Sequence, residues 1–479
     1  MSGKWIRRLI MWLIIGIILY LVIGAVAPFG HYPEPVLSAG QREKLNVFMD
    51  SDTSADRAAI VESNRDALAE RLRLMEGAEE EIILSTFDMR PGESTEDLAA
   101  MLLHKADEGV KIRILVDGIS SVIRMEGEET FYALSSHPNI ELKAYNPLNL
   151  LFPWKTQGRM HDKYVIADHT AYIMGGRNTF DYFLGDYHTA NKSLDREILI
   201  YNTEWEQAGA KDSSLFELRE YFEGVWELKA CKYFHESEKL ADKENVKEKR
   251  EELAERYDGL REAYPEAFDG SLLEEKTVAT KGVLLMTGET GIYEKQPLVF
   301  QQVCELMKRG KERVLIHTPY VVCNKYMYGE LKKVASSVED VKMMINSVDN
   351  GDNFFGSADY LWNKKKVMGT GMEILEYDGG ISTHGKSVII DDNISVVGSF
   401  NFDLRSAYMD TEMMVAVKSE ELTRQLSANM EELHQDCRKA VDTDTYEGER
   451  PEEAKSLPWW KRPAMWAVGL IMQLFRFLV

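Results

Sequence analysis

The sequence predicts an α/β fold of two duplicated α-β-α lobes related by a pseudo-two-fold axis, with an N-terminal transmembrane helix and a C-terminal amphipathic helix. Three observations predict it. A His, Lys and Asp pattern recurs with one internal spacing, at His161, Lys163 and Asp168 and again at His384, Lys386 and Asp391. Each copy runs on to a small pair and an asparagine: Gly175, Gly176 and Asn178, then Gly398, Ser399 and Asn401. Ordinary residue frequencies would give one His-x-Lys-x4-Asp match in roughly one chain of this length in thirty. Two copies that also share a downstream Gly and Asn therefore signal duplication. The second observation is that strand-like and helix-like stretches alternate in the same order ahead of both motifs, as a sheet covered on both faces requires. The third is an apolar segment at each end of the chain.

Residues 9–27 form an uncharged apolar run preceded by Lys4, Arg7 and Arg8. As a helix the run extends ~28 Å, close to the thickness of a bilayer's hydrocarbon layer. The triplet Ala25, Val26 and Ala27 resembles a signal-peptidase site, but the run is long for a signal peptide, and an uncleaved anchor is expected. No basic residue follows until Arg42, so the charge bias puts the N-terminus in the cytoplasm and the body outside. The expected organisation is an anchor over 1–30, a linker over 31–54, a first lobe over 55–230, a charged helical connector over 231–280, a second lobe over 281–440, an acidic linker over 441–456 and a membrane-interfacial helix over 457–479.

Within the first lobe, the pattern predicts an amphipathic helix over 56–75, a strand over 81–87, a helix over 95–107 and a strand over 110–116. The second lobe repeats the order with a strand and turn over 313–320, a helix over 326–336 and a strand over 341–347. Between the lobes, residues 235–262 are dense in both signs of charge and read as a solvated helix. At the C-terminus, Trp459, Trp460, Lys461 and Arg462 suit a headgroup boundary. The apolar stretch beyond them is interrupted by Gln473 and Arg476, which favours a helix lying in the interface over one that spans.

The chain's 479 residues and 44% hydrophobic content are enough for two or three cored domains. Its net charge of -22 argues against a surface that neutralises nucleic-acid phosphates, so no nucleic acid is expected as a partner. The four cysteines are scattered, with no CxxC, and neither a zinc site nor a disulfide framework is indicated. No metal-ligand spacing accompanies the motif, and no cofactor is expected.

In a strand, residues two apart share a face, so His161 projects with Lys163 and His384 with Lys386. If the lobes face one another, both pairs meet at one phosphate. A phosphodiester repels nucleophiles, so its cleavage needs cations on the phosphoryl oxygens and an acid for the departing alkoxide. Lys163 and Lys386 supply the charge. One neutral imidazole can attack phosphorus while the other, protonated, serves as acid and then as base. Asn178, Asn401 and Ser399 are expected to bind the substrate by donating to phosphate oxygens. Glu197 and Glu412, each in a strand downstream of its motif, are the candidates for orienting the histidines. Asp168 and Asp391 are expected to tie loops, and His317 and His188 to be structural.

These residues resemble the phospholipase D superfamily with two HxKx4D motifs, and more closely its bacterial cardiolipin synthases. The stretch from Gly398 through Asn401, Asp403, Arg405 and Ser406 to Glu412 is similar to that group's G-S-x-N-x-D-x-R-S…N-x-E pattern. Gly175, Gly176, Arg177 and Asn178 resemble the first-lobe form of one subgroup, and residues 318–322 the S-P-Y-F-V-P turn. The likeness covers roughly residues 60–440. It implies a covalent intermediate on His161, His384 as acid and base, and crossed support in which Glu412 holds His161 and Glu197 holds His384. It also implies transfer of a phosphatidyl group from one phospholipid to a hydroxyl of phosphatidylglycerol, giving cardiolipin. A phospholipase D that releases phosphatidic acid would use the same residues, and a membrane-tethered nuclease is a further alternative. The sequence departs from the pattern at Cys323 and Asn324, which replace the end of the proline turn, and at Asp410, where asparagine is common.

Overall fold

The computed structural model describes residues 3–26, 32–235 and 238–479, so the end of the expected anchor and the triplet's Ala27 lie outside the described residues. Among the described residues two nine-stranded sheets carry the fold, and eight strands of each follow the same order, Val278–Ala279 being added at one edge of the first and Tyr446–Glu447 at the opposite edge of the second. Across the first sheet run Val278–Ala279, Asp56–Val61, Glu197–Asn202, Ala171–Gly175, Tyr164–Ala167, Glu81–Thr86, Lys111–Asp117, Ile140–Tyr145 and Cys231–Tyr233. The second runs Gly282–Thr287, Met413–Lys418, Ile394–Gly398, Ser387–Ile390, Arg313–His317, Asp340–Asn346, Glu373–Tyr377, Cys437–Ala440 and Tyr446–Glu447. In each sheet three strands are parallel, the product of strand-helix-strand crossovers, and the rest pair antiparallel.

The helices Asn64–Glu76, Glu93–Asp107 and Glu244–Ala263 cover the outer face of the first sheet, burying Leu72, Leu98, Leu102, Leu253 and Leu260 in one core. A second core lies on the outer face of the second sheet around Phe300, Leu331 and Phe402. Between the sheets, Ser214–Trp226 and Glu420–His434 pack into a third core containing Tyr164, Tyr172, Phe222, Ile389, Val415 and Leu426. Because both lobes contribute to that core, their relative position is fixed by close packing.

Several expected boundaries move. Residues 56–75 form an edge-ward strand, Asp56–Val61, and then the helix Asn64–Glu76, rather than one helix. Ser63 separates them: its hydroxyl accepts the Asp66 N–H at 2.9 Å and caps the helix. The expected connector over 231–280 is largely part of the first lobe. Cys231–Tyr233 pairs with Ile140–Tyr145 at the sheet edge, Val278–Ala279 pairs with Asp56–Val61, and Glu244–Ala263 buries an apolar stripe of Val246, Leu253, Tyr257 and Leu260. Charge density hid a stripe at the i, i+3, i+4 spacing of a core-facing helix. The acidic linker likewise contributes Tyr446–Glu447 as the second sheet's last strand.

Gly3–Val26 is one helix, long and apolar enough to cross a membrane and unburied along its apolar window. The C-terminal helix Lys461–Met472 packs one face on the helix Phe354–Met368. The two indoles Trp362 and Trp466 lie 4.7 Å apart, and Trp362 donates to the Trp466 carbonyl at 2.6 Å. Gly469 sits so close to Trp362 that a Cβ there would fall 2.1 Å from the ring. Gln473 and Arg476, which interrupt the apolar run, reach buried Asp359, Arg476 with two bonds of 2.7 and 2.9 Å. The opposite face leaves Trp459, Leu470, Ile471 and Leu474 exposed.

Candidate active site

Both histidines stand where a strand enters the sheet from a loop that touches the other lobe. Ahead of His161, Met160 bridges in parallel to Thr411, and the His161 N–H donates to the Thr411 carbonyl at 3.2 Å. Ahead of His384, Ser382–Thr383 pairs in parallel with Ser193–Leu194, and the His384 N–H donates to the Leu194 carbonyl at 2.6 Å. Two short inter-lobe ladders thus lay each histidine beside the other lobe's next carboxylate. The Nδ1 of His161 lies 2.7 Å from Glu412 Oε1, and the Nδ1 of His384 lies 2.8 Å from Asp195 Oδ2.

The second pairing corrects the expectation for Glu197. That residue lies in the first lobe's interior, where Arg71 donates two bonds of 2.6 Å to its carboxylate and Arg177 approaches to 3.7 Å. Strand register explains the difference. Gly175 pairs with Glu197, whereas its repeat counterpart Gly398 pairs with Met414. Asp195 therefore corresponds to Glu412, and Glu197 to Met414. The loop from the small pair to the carboxylate is longer in the first lobe, so the shared acidic-x-acidic spelling misaligns the two copies.

Ser399 also departs from expectation. Its hydroxyl donates to Glu412 Oε2 rather than opening toward a substrate, and Ser406 donates to the other carboxylate oxygen at 2.6 Å. The first lobe has Gly176 at the Ser399 position, and a Cβ there would lie 2.5 Å from the Asp195 carboxylate. A hydroxyl buttressing a longer acid in one lobe is thus replaced by a glycine packed on a shorter acid in the other. Asn178 and Asn401 are buried, and their side-chain oxygens have no hydrogen-bond partner among the described residues. Asn401 Nδ2 donates to the Tyr320 hydroxyl at 3.4 Å.

Lys163 and Lys386 are buried, and each donates to the carbonyl of its own lobe's histidine. The Lys386 ammonium is also 2.7 Å from His384 Nδ1. Asp168 and Asp391 both adopt left-handed backbone, with φ of 49° and 50°. Asp168 accepts the backbone N–H groups of Glu79, Glu80 and Glu81 at 2.7–2.9 Å, and Asp391 those of Lys311, Glu312 and Arg313 at 2.8–3.2 Å. Each clamps the turn that leads into the first of the three parallel strands, Glu81–Thr86 or Arg313–His317. His317 is buried behind the site, where the Arg196 guanidinium lies 3.2 Å from its Nδ1 and the Thr383 hydroxyl 2.9 Å from its Nε2. His188 lies on the exposed 186–192 loop.

Burial, then the Lys163 ammonium, pushes His161 well below the ordinary histidine range. The charges of Lys386 and His384 act on it in the same direction, so all four groups share one electrostatic neighbourhood. Burial also raises the Glu412 carboxyl to about 8, against the pull of Lys163 and the Ser399 and Ser406 hydroxyls. Asp195 behaves oppositely. Burial opposes its charge, yet Lys386, His384 and Arg177 hold it below the usual carboxylate range. His384 is lowered by burial and Lys386, while its bond to Asp195 favours the imidazolium. Lys163 falls to about 8 through burial and the neighbouring Lys386 charge. The two imidazoles therefore have unlike partners: a carboxyl near its protonation point for His161, and a firmly ionised one for His384.

A cavity of about 200 Å³ opens beside His161, bounded by Phe87, Tyr320, Phe355, Asn401, Arg405 and Asp410. Leu478 and Val479 from the C-terminal segment line the same cavity. Phe87 packs edge-on to His161 at 5.1 Å between ring centroids, and Phe183 lies 5.3 Å from His384. Sequence reasoning missed Asp195, Ser406 and the two aromatics. Repeat register could have found Asp195, but nothing local marks the others.

A family model described as "Cardiolipin synthase, PLD-like domain" matches residues 72–204 and 303–434, one stretch in each lobe. Cardiolipin synthase C of Escherichia coli is 27% identical over 404 residues, 76% of this chain and 82% of that protein. An uncharacterised protein of Helicobacter pylori is 28% identical over 407 residues, 75% of each chain. Among solved structures, phosphatidylserine synthase of Haemophilus influenzae superposes with a TM-score of 0.61 at 13% identity, over 92% of this chain and all of that one.

Proposed function

The chain belongs to the cardiolipin synthase, PLD-like domain family of the phospholipase D superfamily, and from that membership we propose that it makes cardiolipin by moving a phosphatidyl group from one phospholipid onto a hydroxyl of phosphatidylglycerol. It is a phospholipid phosphatidyltransferase, and its substrates are phospholipids held in a membrane. The observation that carries the mechanism is the crossed pairing of His161 with Glu412 and His384 with Asp195.

The unequal carboxylates divide the labour. His161, kept neutral, attacks phosphorus through Nε2 while Nδ1 faces Glu412. The phosphorus–oxygen bond to the donor's headgroup breaks, and the His384 imidazolium, supported by ionised Asp195, gives its proton to the departing oxygen. Lys163 and Lys386 balance the charge on the phosphoryl oxygens, and the amides of Asn178 and Asn401 donate to them. The result is a phosphatidyl group on His161 and a neutral His384. The second half runs in reverse: His384 takes the proton of a phosphatidylglycerol hydroxyl, whose oxygen displaces His161 from phosphorus. The basic residues before the N-terminal span favour an extracytoplasmic body, and the exposed apolar face of Lys461–Met472 suits contact with the membrane interface.

Full-length protein in phosphatidylglycerol vesicles should yield cardiolipin by mass spectrometry. His161→Ala should reduce turnover by about 10³-fold or more, and His384→Asn should accumulate a phosphatidyl-protein adduct. Phosphatidic acid as sole product would replace the synthase reading with a hydrolase. Undiminished turnover in His161→Ala would sink the mechanism.

A further inference from the structure

The loop between the strand Ile140–Tyr145 and His161 carries an exposed apolar tip. Leu148, Leu150, Leu151 and Phe152 follow one another with little polar relief, Leu150 at 66% and Leu151 at 75% exposure. The loop is not loose. Asn146 Nδ2 closes its neck by donating to the carbonyls of Lys155 at 2.6 Å and Gly158 at 2.9 Å, and Arg159 donates to the Asn146 carbonyl at 2.5 Å. Asn149 Oδ1 accepts the N–H groups of Leu151 and Phe152 and holds the turn at the tip. A folded neck holding four large apolar side chains in water is unfavourable unless something apolar covers them.

The cover is indicated by the N-terminal helix. The Tyr20 hydroxyl donates to the Leu151 carbonyl at 2.6 Å, the Tyr20 and Trp154 rings meet edge-on at 6.5 Å, and Gly24 approaches Pro153 so closely that a Cβ would lie 2.5 Å from its ring. Tyr20 stands six residues before the helix end at Val26, which is about 9 Å along the axis at a rise of 1.5 Å per residue. If Gly3–Val26 crosses a bilayer, the loop tip at Tyr20 must be inside that bilayer too. We infer that residues 148–152 form a loop inserted into the phospholipid bilayer, at the depth typical of interfacial segments, about 5–10 Å. Lys155, 5.1 Å over the Phe152 ring, stands at the base of the tip, where a headgroup phosphate would lie.

The consequence for the site is positional. The neck runs through Gly158 and Arg159 straight into Met160 and His161, and Arg159 also reaches Asp117 at the end of the neighbouring strand. Because the neck leads directly into His161, a tip fixed in the acyl boundary ties the position of His161 to the bilayer surface. A diester can then enter without its acyl chains leaving the membrane.

Full-length protein carrying Cys437→Ser, to remove the partly exposed thiol, would be labelled with an environment-sensitive fluorophore at Leu151→Cys or, as control, at Glu255→Cys on the helix Glu244–Ala263. In nanodiscs, lipids brominated on their acyl chains should quench the label at 151 by about half or more and leave that at 255 unchanged. Quenching of the 151 label by aqueous iodide that is unaltered on reconstitution overturns the inference. Leu150→Asp with Leu151→Asp should cut turnover of bilayer phospholipid about tenfold while leaving a short-chain monomeric phospholipid within about twofold. Equal loss on both substrates, or loss on neither, also overturns it. The turnover arm rests on the phosphatidyltransfer reading, whereas the quenching arm does not, so failure of the chemistry and failure of insertion are told apart.

Discussion

Asp195 and Glu197 are two residues apart, both buried and both acidic, yet they have different work. Asp195 faces His384 across the lobe boundary, and Glu197 neutralises Arg71 inside its own lobe. Asp195→Asn should therefore lower kcat/KM by about a hundredfold or more, and the loss should persist in the molecules that remain folded. Glu197→Gln should leave Arg71 unpaired and cost about 3 kcal/mol of stability, while molecules that remain folded keep their turnover. The pH profile adds a signature. The proposed mechanism needs His161 neutral and His384 protonated, and both rings sit below the ordinary histidine range, His161 further below. The bell for kcat/KM, which reports the free enzyme, should then fall on its alkaline side below about 6.5. Asp195 raises His384, so its removal shifts that falling limb to lower pH. A limb that moves upward or stays fixed in Asp195→Asn contradicts the pairing.

At the scale of elements, the charged helix Glu244–Ala263 is the sharpest divergence from its spelling. Its lysines, arginines and glutamates suggest a solvated spacer, but Leu253 is buried against the helices Glu93–Asp107 and Glu129–Ser135. Leu253→Ala should cost about 3 kcal/mol in denaturant unfolding, whereas a solvated connector would lose less than about 0.5 kcal/mol. The strand-helix alternation before each motif was legible because apolar spacing tracks the side-chain period. The strand Asp56–Val61 was not, because its partly buried face merges with the apolar stripe of the helix that follows.

For the whole molecule, the core between the sheets has the greatest consequence. Tyr164, Phe222, Ile389 and Leu426 pack together from both lobes, and each histidine depends on a carboxylate from the other lobe. Calorimetry of the full chain should show one unfolding transition rather than two, since neither sheet buries its inner face alone. Two resolved transitions would mean that the lobes are separable bodies.

The sequence by itself determined the duplication, the α/β class, the twin imidazole and ammonium groups and the long apolar N-terminal helix, because these follow from spacing and side-chain chemistry along the chain. Only the tertiary structure decided which acid supports His384, that Ser399 serves Glu412, that the charged helix belongs to the first lobe and that the C-terminal segment reaches the His161 cavity. Those outcomes depend on loop length, strand register and contacts between residues far apart in the chain. A pattern with the same local spelling in both repeats carries no record of them.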